Sequence, residues 1–170
     1  MIVGLLGPPN CGKSRFAETL CAGLSRRLRC RPTYIATLPE DDVHRARIDK
    51  HRWRRGPRWL TRRIASPASA VLRELRWLSR RERCLLLDGV TQLFQTQIVA
   101  YNLLERELDA FSEELLRILV RSGGHCVWIV VDALPKPVDE DPSLTPLVAR
   151  FHQALSTHAR VLQFARSEDI

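Results

Sequence analysis

Residues Gly7-Pro8-Pro9-Asn10-Cys11-Gly12-Lys13-Ser14 satisfy the pattern G-x-x-x-x-G-K-[ST] at every specified position. They follow an apolar run at residues 2–6 and open a helical pattern, the strand–loop–helix context in which such a loop works. Its glycines let backbone N–H groups curl around phosphate oxygens, and the helix N-terminus adds partial positive charge. Lys13 is expected to reach the β- and γ-phosphates of a nucleotide, and Ser14 to offer its hydroxyl to Mg²⁺. The whole loop, Gly7 through Ser14, is therefore read as nucleotide-binding.

The rest of the chain supports a fold that can carry such a loop. Five short apolar runs, at residues 2–6, 33–37, 84–88, 126–131 and 160–164, are rich in Val, Ile and Leu. Continuous rather than alternating apolarity marks strands buried on both faces of a parallel sheet. Helical patterns lie between them. Phe16, Leu20, Leu24 and Leu28 form one stripe, on a helix ending among Arg26, Arg27 and Arg29. Ser66 or Ser69 is expected to cap a helix with the stripe Val71, Leu72, Leu75 and Leu78. A long pattern runs from about residue 92 to 120 and stops at Gly123 and Gly124. A last helix spans roughly 144–158. Strands alternating with helices predict an α/β fold, a mostly parallel sheet with right-handed crossovers. At 170 residues this makes one domain over 1–170. Residues 39–57 and 134–146 read as loops leaving carboxyl ends of strands, where sites of such sheets form.

At 45% hydrophobic and 27% charged, the chain can build a core, which excludes disordered and collagen-like readings. The uncharged run at residues 1–12 is too short for a membrane span and lacks the basic start of a secretion signal. A cytoplasmic protein is expected. The five cysteines show no C-x-x-C or zinc spacing and are read as reduced thiols, four of them buried, with Cys21, Cys30 and Cys126 in the core. His44, His125, His152 and His158 show no metal spacing and are read as structural or solvated. Charge is uneven: 20 basic against 7 acidic side chains in residues 1–83, but 7 against 12 in 84–170. Only three residues are lysine, so an arginine-rich composition explains part of the excess. The remainder suits a phosphate-rich small molecule or a nucleic acid. Trp53, Trp59 and Trp77 are scattered with no stacking array, so a nucleic-acid partner is not expected.

Two further features carry chemistry. Asp88 ends the run Cys84-Leu85-Leu86-Leu87, the apolar-strand-then-acid pattern that holds hydrated Mg²⁺ opposite a phosphate loop. His51 sits among Lys50, Arg52, Arg54 and Arg55. Cationic neighbours favour the neutral imidazole, which makes a ring nitrogen available as a nucleophile. The surrounding arginines, Arg52 and Arg55 among them, suit a triphosphate and its transition-state charge. A solvated basic helix with an incidental histidine is the alternative. Asp42, Ala46, Asp49 and Trp53 are spaced to share one face of that helix.

The order of phosphate loop, Tyr34-Ile35-Ala36-Thr37, acidic residues Glu40 to Asp42, Arg47-Ile48-x-x-His51-Arg52 and a basic tail with Pro57 and Trp59 resembles the bifunctional adenosylcobinamide kinase / adenosylcobinamide-phosphate guanylyltransferases. Lys13-Ser14-Arg15, Ala17-Glu18, Asp88-Gly89-Val90-Thr91, Ala149-Arg150-Phe151 and Gln153 extend the likeness. The resemblance implies a RecA-like P-loop fold, a homotrimer, GTP, ATP and Mg²⁺ as cofactors, and a corrinoid substrate. It implies phosphorylation of the hydroxyl on the aminopropanol arm of adenosylcobinamide, then transfer of GMP from GTP through a guanylylated His51. Lys13 and His51 are the implied catalytic residues, and Ser14 and Asp88 the metal ligands. The chain also departs from that pattern. Cys11 replaces a serine, Gly56 is an insertion, and His152 replaces an asparagine. The strand at 127–131 leads into Asp132-Ala133-Leu134-Pro135 instead of Thr-Asn-Glu-Val-Gly, with Asp132 standing in for one polar member. A single-activity P-loop small-molecule kinase and a RecA-like nucleic-acid-binding ATPase are the alternatives.

Overall fold

A computed structural model describes residues 1–38, 42–134 and 144–165. Six strands form one sheet: β1 (Ile2–Gly7), β2 (Thr33–Ala36), β3 (Leu60–Arg63), β4 (Cys84–Asp88), β5 (Val127–Ala133) and β6 (Arg160–Gln163). Their order is β3-β2-β4-β5-β1-β6, with every pairing parallel. The helices are α1 (Lys13–Leu28), α2 (Asp42–Arg55), α3 (Ala68–Arg81), α4 (Val90–Tyr101), α5 (Glu105–Ser122) and α6 (Leu144–Ser156).

Alternation along the central strands divides the core in two, because successive side chains point to opposite faces. Cys84, Leu86, Ile129 and Val131 meet α1 through Ala17 and Cys21. Leu85, Leu87, Trp128 and Val130 meet Leu75, Phe94, Leu115 and Phe151 on the other side. Phe94 makes edge-to-face contacts with Phe111 and Phe151, with centroids 6.0 and 5.6 Å apart.

Several expectations are corrected. The edge strand β3 went unforeseen because Leu60-Thr61-Arg62-Arg63 is mostly polar and only half-buried. The opposite edge strand, β6, is largely exposed rather than buried on both faces. The apparent loop at 39–57 is mostly helix α2. It lacks an apolar stripe, but arginine is a good helix former and the chain there need not enter the core. Asp49 and Trp53 are exposed on it, while the side chains of Asp42, His44 and Ala46 and residues 39–41, including Glu40 and Asp41, lie outside the described residues.

The single pattern at 92–120 is two helices. Asn102, left-handed at φ 53°, caps α4: its N–H bonds the Ile98 carbonyl and the following Leu103 N–H bonds the Gln97 carbonyl. Pro67 rather than Ser66 or Ser69 begins α3, with no side-chain cap. On α1 the buried face is Ala17, Cys21 and Ser25, while Phe16 is 44% exposed. Small residues let that helix lie close on the sheet, and Phe16 packs edge-on against Phe164 instead. Three cysteines are buried rather than four, and Cys30 is only partly so. Residues 135–143, most of the second expected loop, also lie outside the described residues.

Candidate active site

The parallel sheet brings the carboxyl ends of β1, β5, β4 and β2 to one edge, and a cavity of about 710 Å³ opens there. Pro9, Asn10, Gly12, Lys13 and Ser14 form one wall. Gly7, Pro8 and Cys11 belong to the same loop but do not line the cavity. Gly12 at φ 86° takes a backbone conformation open to glycine and costly for other residues. Lys13 is buried, and its Nζ donates to the Pro8 carbonyl at 2.8 Å.

Asp88 stands across from this loop. Its Oδ1 lies 3.4 Å from the Ser14 hydroxyl, and its Oδ2 accepts the Tyr34 phenol at 2.9 Å. Burial and the adjacent Asp88 carboxylate push the Tyr34 hydroxyl well above its ordinary value, so it stays a proton donor. Thr37 donates to the Asp88 carbonyl at 2.8 Å. The following Gly89 has φ 93°, and a Cβ there would sit 2.8 Å from the Thr37 hydroxyl oxygen. One carboxylate and one hydroxyl, both hard oxygen donors beside a phosphate loop, fit Mg²⁺, which keeps several waters and takes phosphate oxygens as further ligands.

The third wall is assembled around Glu18 of α1, which is 6% exposed. Arg54 Nε donates to its Oε2 at 2.5 Å and Arg55 to its Oε1 at 3.4 Å. His51 Nδ1 lies 3.5 Å from the same Oε1. Burial pushes the Glu18 carboxyl up, but His51, Arg54 and Arg55 together hold it below its ordinary value. Glu18 in turn raises Arg54. Arg55 is buried and lies over the Tyr34 ring, 3.6 Å from its centroid. The wall thus joins α1, α2 and β2. Sequence neighbours of His51 are cations, whereas the fold adds an anion.

His51, Arg52 and Arg55 face the same cavity as Lys13, Ser14 and Asp88. Arg52 lies 3.8 Å from Asp49. Glu18 and Arg54 are named in the sequence reading but given no site role of their own, since nothing in a lone helical Glu announces a partner more than thirty residues away. Thr61 and Arg63, on the unforeseen β3, also line the cavity. Asp132 and His152, two separate departures from the resembled pattern, meet at 2.8 Å, so of the two readings of His152 the structural one holds and the solvated one does not. On the far side of Glu18 a second groove, about 1000 Å³, gathers Trp53 and Trp59 with Arg26, Arg31 and Arg58. Trp77 stands apart, between Arg62 and Arg81. Among the described residues there is no cluster of three metal-ligating side chains and no helix long and apolar enough to cross a membrane.

Solved structures similar to this one share its fold at low sequence identity. A KaiC-like protein from the hyperthermophilic archaeon Pyrococcus horikoshii OT3 superposes with TM-score 0.56 at 16% identity, over 95% of this chain and 70% of that one. A second solved structure, an ATPase domain, gives TM-score 0.54 at 13% identity, over 90% of this chain and 66% of that one. The likeness is one of fold: a RecA-like parallel sheet flanked by helices, with the phosphate loop after its first strand. No curated protein matches the chain in sequence. The family model for cobinamide kinase / cobinamide phosphate guanyltransferase, CobU, matches residues 3–159, and its members are kinase and nucleotidyltransferase enzymes of cobalamin biosynthesis. Most of this chain lies within that match, and it belongs to the CobU family.

Proposed function

We propose that this one cavity serves both family reactions: phosphorylation of the aminopropanol hydroxyl of adenosylcobinamide by ATP or GTP, and transfer of GMP from GTP to the resulting phosphate. The observation that carries the reading is that His51 faces the same cavity as the phosphate loop. Lys13 and the backbone of Gly7 to Ser14 hold the triphosphate, and Arg52 and Arg55 add positive charge around it. Ser14 and Asp88 would hold Mg²⁺, which when bound would neutralise phosphate charge.

For guanylyl transfer a ring nitrogen of His51 attacks the α-phosphorus of GTP. The P–N bond forms, the bond from the α-phosphorus to the bridging oxygen breaks, and pyrophosphate leaves. An oxygen of the acceptor phosphate then attacks the same phosphorus and displaces the histidine. The tautomer matters. Arg54 Nη2 lies 3.2 Å from His51 Nδ1 and can only donate, whereas Glu18 can only accept. When Nδ1 keeps its proton and donates a hydrogen bond to Glu18, Nε2 keeps its lone pair and is the nucleophile. Glu18 is thus the group that selects the reactive ring nitrogen. A homotrimer in the cytoplasm completes the reading.

The test is incubation with Mg²⁺ and GTP followed by intact mass. A gain of one GMP, lost in His51→Ala and labile in acid, is expected. Nucleotide binding without an adduct would instead favour a single-activity kinase.

A further inference from the structure

One part of the cavity has no task in the scheme above. Asp132, near the end of β5, is 2% exposed. The backbone N–H of Thr91 donates to its Oδ1 at 2.9 Å, and the Thr91 hydroxyl to its Oδ2 at 2.9 Å. His152 Nε2 lies 2.8 Å from the same Oδ2 and, since a carboxylate only accepts, carries the hydrogen between them. His152, on α6, is 7% exposed. Among the described residues no other charged side chain lies within ion-pair distance of either group.

This arrangement constrains Thr91 chemically. A hydroxyl has one proton, and here it is committed to Asp132. The Thr91 oxygen therefore offers only lone pairs to the cavity, which Thr91, Gln92, Gln95 and Asp132 line together. An acceptor-only oxygen welcomes a hydroxyl and repels the oxygens of a phosphate. Its place suits such a role. β5 lies between β4 and β1, with Val131 level with Asp88 and Asp132 level with Leu6, just before the phosphate loop. Asp132 also satisfies a backbone N–H in the first turn of α4, whose own cap makes no side-chain bond.

We propose that Thr91, braced by Asp132 and His152, receives and orients the substrate hydroxyl that becomes phosphorylated. Asp132 and His152 are positioning residues acting through Thr91. The assignment rests on the bifunctional reading and deepens it, since it separates the two half-reactions: guanylylation of His51 presents no acceptor hydroxyl and needs no such receiver.

Thr91→Val is the informative variant, because it keeps the N–H bond to Asp132 and deletes only the hydroxyl. Two readouts are taken on one preparation of the full chain: phosphorylation of adenosylcobinamide by ATP, and the mass gain from GTP with Mg²⁺. Expected is a fall of about 10²-fold in kcat/KM for the corrinoid, with the KM for ATP and the rate of GMP uptake within about twofold of wild type. Thr91→Ser should recover most of the phosphorylation. His152→Gln, which keeps an N–H donor, should be impaired less than His152→Ala. Wild-type phosphorylation in Thr91→Val overturns the assignment, as does equal loss of both readouts in a variant with unchanged circular dichroism and Tm. A wild-type chain showing neither reaction overturns the functional reading, and this assignment with it.

Discussion

Two of the walls that flank the cavity are built in different ways. The phosphate-loop wall comes from one contiguous stretch, Gly7 to Ser14, running from the end of β1 into the first turn of α1 and shaped by local backbone geometry. The His51 wall draws on α1, α2 and β2 and is held by side chains converging on Glu18. A contiguous loop keeps its shape as long as its strand and helix persist. A converging wall depends on one buried charge balancing several others, so a single lost partner leaves the remainder unpaired. In the proposed function, ligand binding falls to the contiguous wall and the nucleophile to the wall that depends on neighbouring charge.

The comparison can be broken first at the contiguous wall. Lys13→Ala should lower both phosphorylation and guanylylation by about 10³-fold, measured as steady-state rates at saturating Mg²⁺, because both reactions use the same triphosphate cradle. His51→Ala probes the other wall and should remove the GMP adduct from the mass spectrum while leaving phosphorylation within about threefold. If phosphorylation fell equally, the walls would not divide the work as described.

Glu18→Gln sharpens the contrast further. It should slow adduct formation by about 10- to 100-fold, in the manner of a lost orienting partner, and destabilise the fold by about 3 kcal/mol in urea titrations by leaving buried Arg55 without its anion. The pH dependence has a definite sign. Glu18 is held below its ordinary value of 4.5, so its contribution is present above that value and is lost as pH falls through the depressed one. The wild-type advantage over Glu18→Gln should therefore persist at neutral pH and disappear only on strong acidification. The smallest effect belongs to Tyr34→Phe, which deletes the 2.9 Å bond to Asp88 and should cost about 1 kcal/mol, seen as a modest fall in Tm and a raised Mg²⁺ requirement.

The same difference explains what could be read in advance. Lys13, Ser14 and the loop glycines are legible because their chemistry depends on spacing along the chain. Asp88 is legible because four buried apolar residues precede it and place it at a strand end. β3 was not, since a half-exposed edge strand has no apolar run to betray it. Nor was the break at Asn102, because apolar periodicity continues on both sides and only a left-handed cap interrupts it. Helix α2 carries its arginines on a segment without an apolar stripe, so only the spacing of Asp42, Ala46, Asp49 and Trp53 hinted at a helix within the apparent loop.

Local order along the chain determined the phosphate loop, five of the six strands, the parallel α/β class and the presence of a histidine among arginines. Those properties follow from periodicity and backbone preference, which act over a few residues. Only the folded structure decided that Glu18 would stand between His51 and two arginines, and that Asp132 would hold Thr91 while itself held by His152. Such meetings depend on strand order and helix packing, which bring together residues 20 to 41 positions apart and leave no periodic trace in the chain.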